Sequence, residues 1–208
     1  LDNAEIFLLA EDFLSFLHIF DTAHIPGLLG CVVIGCILTF IIQSSSAMLG
    51  ITIALASTGT IDYPTAAALV LGENIGTTIT ALLACIGTNT QAIRAAVSHA
   101  LFNLIGVGII LLLFHPYISF IDWLVPGNPE VLSSDGSKLY IAAHIAMGHT
   151  VFNVSATLIM LPFLALFAKL VERLVPERGR STFKLKHINS SVPAISGVKL
   201  SIARLELE

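Results

Sequence analysis

Apolar positions in this chain run in long unbroken stretches, and two of those stretches are divided by clusters of small polar residues. Residues 4–20 are the exception. Glu11, Ser15 and His18 recur there at i, i+4 and i+7, with Glu5 and Asp12 nearby and Phe7, Leu14 and Leu17 on the other side. That pattern predicts an amphipathic helix lying at a membrane interface within 1–25. Pro26-Gly27 opens the first apolar run, 27–42, which is followed by Gln43, Ser44, Ser45 and Ser46 and then by a second run, 47–58. Both runs are shorter than the roughly 20 residues that one crossing needs. Together, 27–58 predict a re-entrant helical hairpin that enters and leaves on one side, with the polar tetrad at its tip. The next stretch, 63–87, is interrupted by "GENIGTT" at 72–78. This predicts a discontinuous helix whose freed backbone groups lie near the bilayer midplane, tolerated only where they line a cavity. Two spanning helices follow at 91–114 and 139–175, the second longer than a bilayer requires. The segment between them, 115–138, carries "VPGNPE" and "SSDGS" and reads as a loop.

Composition settles the solvent. The chain has 208 residues, 55% hydrophobic and 12% charged, about half the charged share of a soluble domain. No Asp, Glu, Lys or Arg occurs over 22–61, 74–93, 95–121 or 139–168. The fold class expected is an all-α polytopic membrane protein, multi-pass in the cell membrane. Lys169, Arg173, Arg178, Arg180, Lys184 and Lys186 gather at one end, which places the C-terminus in the cytoplasm. Counting crossings back puts the acidic loop of Asp122, Glu130 and Asp135 outside and Arg94 inside, so the hairpin opens outward. The net charge of −4 says little about partners, and no nucleic-acid surface is visible. Cys31, Cys36 and Cys85 lie in apolar segments without CxxC spacing and read as small buried hydrophobes. The opening "LDNAEIFLLA" has no initiator Met and no signal-peptide pattern, so the chain reads as a piece of something longer. Residues 176–208 read as a linker into a soluble helical domain or, alternatively, as a disordered tail.

Paired interrupted hydrophobic segments point to a transporter binding site. The hydroxyls of Ser44, Ser45 and Ser46 and the Gln43 amide are neutral groups that can hold an oxyanion and still release it. Asn74, Thr77 and Thr78 supply the oxygens that a hard monovalent cation wants. No Lys or Arg lies between Thr22 and Ile93, so helix dipoles and a co-bound cation would have to neutralise the anion. The serine run also fits a polar patch that glues helices together, and "GENIGTT" also fits a glycine kink with capping threonines. Glu73 is an intramembrane acid, which is a functional group by default, as a proton site, a cation site or the partner of a polar neighbour. "HALFN" at 99–103 recurs as "HTVFN" at 149–153. His99, Asn103, His149 and Asn153 therefore read either as an outer shell bracing the site, with Glu73, or as ordinary interhelical packing. A metal site from His99, His144 and His149 lacks carboxylate or thiolate support. No nucleophile–base–acid constellation is present, and an enzyme is not expected.

"QSSSA", "GENIGTT" and "HALFN" in this order resemble the sodium-dependent phosphate cotransporter family, the type II animal transporters and their bacterial relatives, over roughly 26–175. The resemblance implies a sodium-coupled importer of inorganic phosphate, built as inverted repeats of which this chain looks like the second. It implies that Gln43, Ser44 and Ser45 contact phosphate or Na+, and that Asn74, Thr77 and Thr78 complete the site. Glu73 stands at a position the family often gives to a small residue. No cofactor is implied beyond Na+ as coupling ion. The implied partners are phosphate, Na+, the lipid bilayer, and either a missing first repeat or a second copy in a homodimer. The tail from about Lys186 resembles the start of a PhoU-like domain. The competing readings are the same architecture carrying another oxyanion or a dicarboxylate, and a membrane-embedded phosphate sensor or regulatory scaffold.

Overall fold

The computed structural model describes residues 22–134 and 136–177. The interfacial helix expected within 1–25 and the domain expected over 176–208 fall almost wholly outside them. Seven α-helices are present among the described residues: α1 (Ile25–Ile42), α2 (Ser45–Ser57), α3 (Tyr63–Ala84), α4 (Thr90–Leu112), α5 (Phe114–Leu124), α6 (Ile141–Met160) and α7 (Leu164–Leu174), the last two joined by a 3-10 turn at Leu161–Phe163. Four helical stretches among the described residues, 25–42, 63–84, 90–112 and 141–174, are long and apolar enough to cross a membrane. The protein is an all-α membrane protein.

α3 is the central element. Its side chains from Thr65 to Asn74 are all buried, so this helix contacts protein on every side. It starts cleanly because the Asp62 carboxylate accepts from the Thr65 N–H at 2.8 Å, with Pro64 in the first turn. α1 runs beside it in the same direction: Gly35 meets Leu69, and Gly76 meets Cys36 and Thr39. α2 turns back antiparallel to them and packs chiefly on α3. Thr22 and Ala23 line the same crevice as Asp62 and Pro64, so both ends of the α1–α2 hairpin lie at one end of the bundle.

α1 is apolar on all sides because it serves two environments. Leu28, Cys31, Val32, Gly35 and Thr39 face α3, while Ile25, Leu29, Val33, Ile37 and Ile41, spaced by four, form an exposed stripe suited to lipid.

α3 runs unbroken through "GENIGTT", where the sequence pattern predicted a discontinuity. Two physical reasons account for it. The glycines serve interhelical approach: a Cβ on Gly72 would lie 2.0 Å from the Val32 carbonyl oxygen, and one on Gly76 would lie 2.6 Å from that of Cys36. Small residues four apart let two membrane helices touch backbone to backbone. The threonine hydroxyls meanwhile bond within their own helix, Thr77 to the Asn74 carbonyl at 2.8 Å and Thr78 to that of Ile75 at 2.7 Å.

The segment 115–138, read as a loop, begins instead with α5. Phe114, Tyr117 and Ile121 are its buried face, at i, i+3 and i+7, and the turn-rich part is confined to 125–140. Tyr117 donates its hydroxyl hydrogen to the Gly148 carbonyl at 2.7 Å, pinning α5 to α6. Tyr117→Phe is expected to lower stability by about 1 kcal/mol, measured by thermal unfolding in detergent. No change would mean that the bond adds nothing beyond packing. The expected single helix 139–175 is divided at Pro162, which cannot donate to the helical ladder. At the opposite end from the hairpin mouth, the Arg94 guanidinium Nε donates to the Val175 carbonyl at 3.0 Å, tying the start of α4 to the end of α7.

Candidate functional site

α1 ends at Gln43, which adopts a left-handed conformation (φ 56°) and is the only non-glycine residue among those described to do so. Ser44 then caps α2, its hydroxyl oxygen accepting from the Ala47 N–H at 3.3 Å and lying 3.3 Å from the Ser46 hydroxyl. The result is a corner at which the first N–H groups of the following helix lack helical acceptors, a setting that favours an anion.

This corner opens on a cavity of about 300 Å³ between α2, α3, α4 and α6. Ser45, Ser46 and His99 are exposed at its mouth, and Glu73, Asn74 and Asn103 are buried in its floor. Thr77, His149 and Asn153 complete the polar lining, and Leu49 and Phe102 contribute apolar wall. Three residues proposed from sequence lie outside it. Gln43 and Ser44 sit just beyond, at the corner, and Thr78 is buried in packing against its own helix.

Glu73 is 3% exposed, and its Oε1 accepts from the Thr52 hydroxyl at 2.7 Å. Thr52 was not anticipated from sequence. The signal was present, because Ser45, Leu49 and Thr52 fall at i, i+4 and i+7 on one face of α2. The echoed His-Asn pairs do converge: His99, Asn103, His149 and Asn153 all line the cavity, on α4 and α6. Their side chains form part of the cavity wall. In each pair the asparagine Nδ2 donates to the carbonyl of the histidine four residues earlier, at 3.1 Å from Asn103 and 2.8 Å from Asn153.

Residues 16–123, half of the chain, match the family described as Na+/Pi-cotransporter. The chain belongs to this family. The Na+/Pi-cotransporters are transporters, not enzymes. Over 145 residues the chain is 34% identical to the uncharacterized protein YqeW of Bacillus subtilis, covering 70% of this chain and 43% of that protein. Over 175 residues it is 31% identical to the putative inorganic phosphate export protein YjbB of Salmonella typhimurium, 84% of this chain and 30% of that one. An 80-residue stretch is 41% identical to sodium-dependent phosphate transport protein 2C of Mus musculus, 36% of this chain and 13% of the mouse protein. The chain thus spans less than half the length of these relatives. No solved structure matches it. As a Na+/Pi-cotransporter family member the chain carries "QSSS" at the helical corner and "GENIGTT" in the buried α3, and both sequences contribute side chains to one cavity.

Proposed function

We propose that the chain forms a sodium-coupled phosphate carrier whose anion sits at the α1–α2 corner and whose cation sits on α3. The observation that carries this reading is the polarity of the cavity. On the corner side are hydroxyls and the N-terminal N–H groups of α2; on the α3 side are the Glu73 carboxylate, the Asn74 amide and Thr77. Phosphate would take its donors from Ser45 and Ser46, with Gln43 and Ser44 completing the corner. Na+ would take oxygens from Asn74 and Thr77, with Gln43 within reach from the tip. Thr78, committed to its own helix, is left as a packing residue. Among the described residues no Lys or Arg lines the cavity, so the cation would supply the anion's counter-charge.

The family match and the mouse relative's name support phosphate and Na+ as the transported pair. The direction proposed is inward, down the Na+ gradient, although the YjbB relatives are named for export. The open mouth of the cavity would face a second copy of this chain or a further membrane segment, with the hairpin re-entering from outside and the C-terminus in the cytoplasm. Flux of labelled phosphate in proteoliposomes, with the Na+ gradient imposed in either direction, tests this. Uptake that follows the inward gradient is expected. Flux indifferent to Na+ would sink the coupling, and saturable binding without flux would favour a phosphate sensor.

A further inference from the structure

Outside the cavity, where α3, α5 and α6 meet, two buried polar atoms have no hydrogen-bond partner: His144 Nε2 and the Tyr63 hydroxyl. His144 sits in the first turn of α6 with no exposed surface, and Tyr63 is the first residue of α3. Their rings meet edge to face, with centroids 5.5 Å apart. α5 brings the third group. Its Asp122 Oδ1 lies 3.7 Å from His144 Nε2, and the Asp122 side chain remains 43% exposed, on a crevice that Tyr63 also lines.

The other ring nitrogen fixes the tautomer. Nδ1 is 2.9 Å from the Tyr140 carbonyl oxygen, which can only accept, so Nδ1 carries a hydrogen. In a neutral ring Nε2 is then a lone pair, and it faces a carboxylate. Two acceptors confront each other, one of them fully buried, with no hydrogen between them. Burial pushes the Asp122 carboxyl above its ordinary range, and the imidazole pulls it partly back. The other titratable groups of the surrounding elements are engaged elsewhere. Lys138 pairs with Glu130 at 2.6 Å, the Asp62 carboxylate caps α3, Glu73 accepts from Thr52, and Tyr117 donates to Gly148. His115 is exposed at the start of α5, and α2 has no titratable side chain. In α4, Arg94 binds the Val175 carbonyl and His99 lines the cavity.

We propose that His144 and Asp122 form a proton-binding site separate from the cavity, in which one bound proton locks α5 onto the start of α6. The proton arrives from solvent along the exposed edge of Asp122 and forms an N–H bond at Nε2; no bond is broken. The ring then donates at both nitrogens, to Tyr140 and to Asp122. A charge-assisted bond needs the carboxylate to approach by about 1 Å. Imidazole is the side chain that exchanges its proton between about pH 5 and 8, which sets the range of the test. A proton held more tightly by the folded chain than by the unfolded one makes stability rise as pH falls. The inference does not rest on the carrier reading.

Thermal unfolding of the 208-residue chain in detergent, at about pH 6 and about pH 8, tests it. The wild type should melt about 5 °C higher at the lower pH. Asp122→Asn is the decisive variant. Its amide Nδ2 can donate to a neutral Nε2, so the lock no longer needs a proton, and every histidine is retained. The variant should lose the pH step while staying as stable as the wild type is at the lower pH. Emission of Trp123, the chain's only tryptophan and the neighbour of Asp122, should show the step in the wild type and not in the variant. His144→Gln should lose the step as well. A wild type indifferent to pH overturns the site, and that is the result expected if a water bridges the two acceptors. A step that survives in Asp122→Asn or in His144→Gln also overturns it, because the titrating group would then lie elsewhere.

Discussion

Alanine at Gly72 is expected to prevent normal assembly of the bundle. Its single added carbon would lie 2.0 Å from the Val32 carbonyl oxygen, 2.8 Å from the Val32 carbonyl carbon and 2.9 Å from the Cys36 nitrogen, all backbone atoms of α1. No rotamer change relieves such a clash, so the two helices must separate along their length. Overpacking in a tight core costs typically about 1–3 kcal/mol, and a contact this close belongs at or above the top of that range. Gly50 provides the control, because nothing lies within 4 Å of a Cβ built there. Gly50→Ala should be neutral or stabilising by up to about 1 kcal/mol, as is usual for a glycine in a helix interior. The measurement is thermal unfolding in detergent, with the yield of monodisperse protein as a second readout. Equal stability of the two variants would mean that α1 and α3 are not in backbone contact.

Removing the two exposed hydroxyls at the corner should act on binding and not on folding. Ser45→Ala/Ser46→Ala is expected to cut apparent phosphate affinity about 100-fold or more, since hydrogen bonds to a charged group are worth about 1.5–3 kcal/mol each. The melting temperature should stay near the wild-type value, because neither side chain is buried. Gln43→Gly sharpens the result. Glycine adopts the left-handed conformation at φ 56° without strain, so the corner keeps its path and loses only the amide. Reduced phosphate affinity with equal or higher stability would assign the amide to the site. Wild-type uptake in both variants would remove the corner from the mechanism.

The membrane class was plain in the sequence because charge is so costly in lipid that a stretch as long as 22–61 without any marks the bilayer as its solvent. The bend at the hairpin tip was also legible, since four polar residues in a row between apolar runs leave little choice but a turn. "GENIGTT" misled for a definable reason. Glycines at i and i+4 either free a backbone or admit a neighbour, and only the position of α1 decides between the two. α5 was hidden because the Pro-Gly punctuation at 126–129 shaded the apolar spacing of Phe114, Tyr117 and Ile121 just before it. The cavity residues were found by type, whereas their donor and acceptor roles were not. The direction of each asparagine depends on a hydrogen bond to its own backbone, which sequence leaves open.

Meshed at Gly35, Gly72 and Gly76, α1 and α3 are geared together like cogs: sliding one by a single residue would drive side chains into carbonyl groups. The hairpin and α3 must therefore travel as one rigid body. Ser45, Ser46, Glu73 and Asn74 ride on that body, while His99, Asn103, His149 and Asn153 ride on α4 and α6. Any motion that opens the cavity has its seam between these two groups, and it pulls the hydroxyl and carboxyl side of the lining away from the His–Asn side. Whatever the cavity holds would then lose one wall on opening, with no separate gate required.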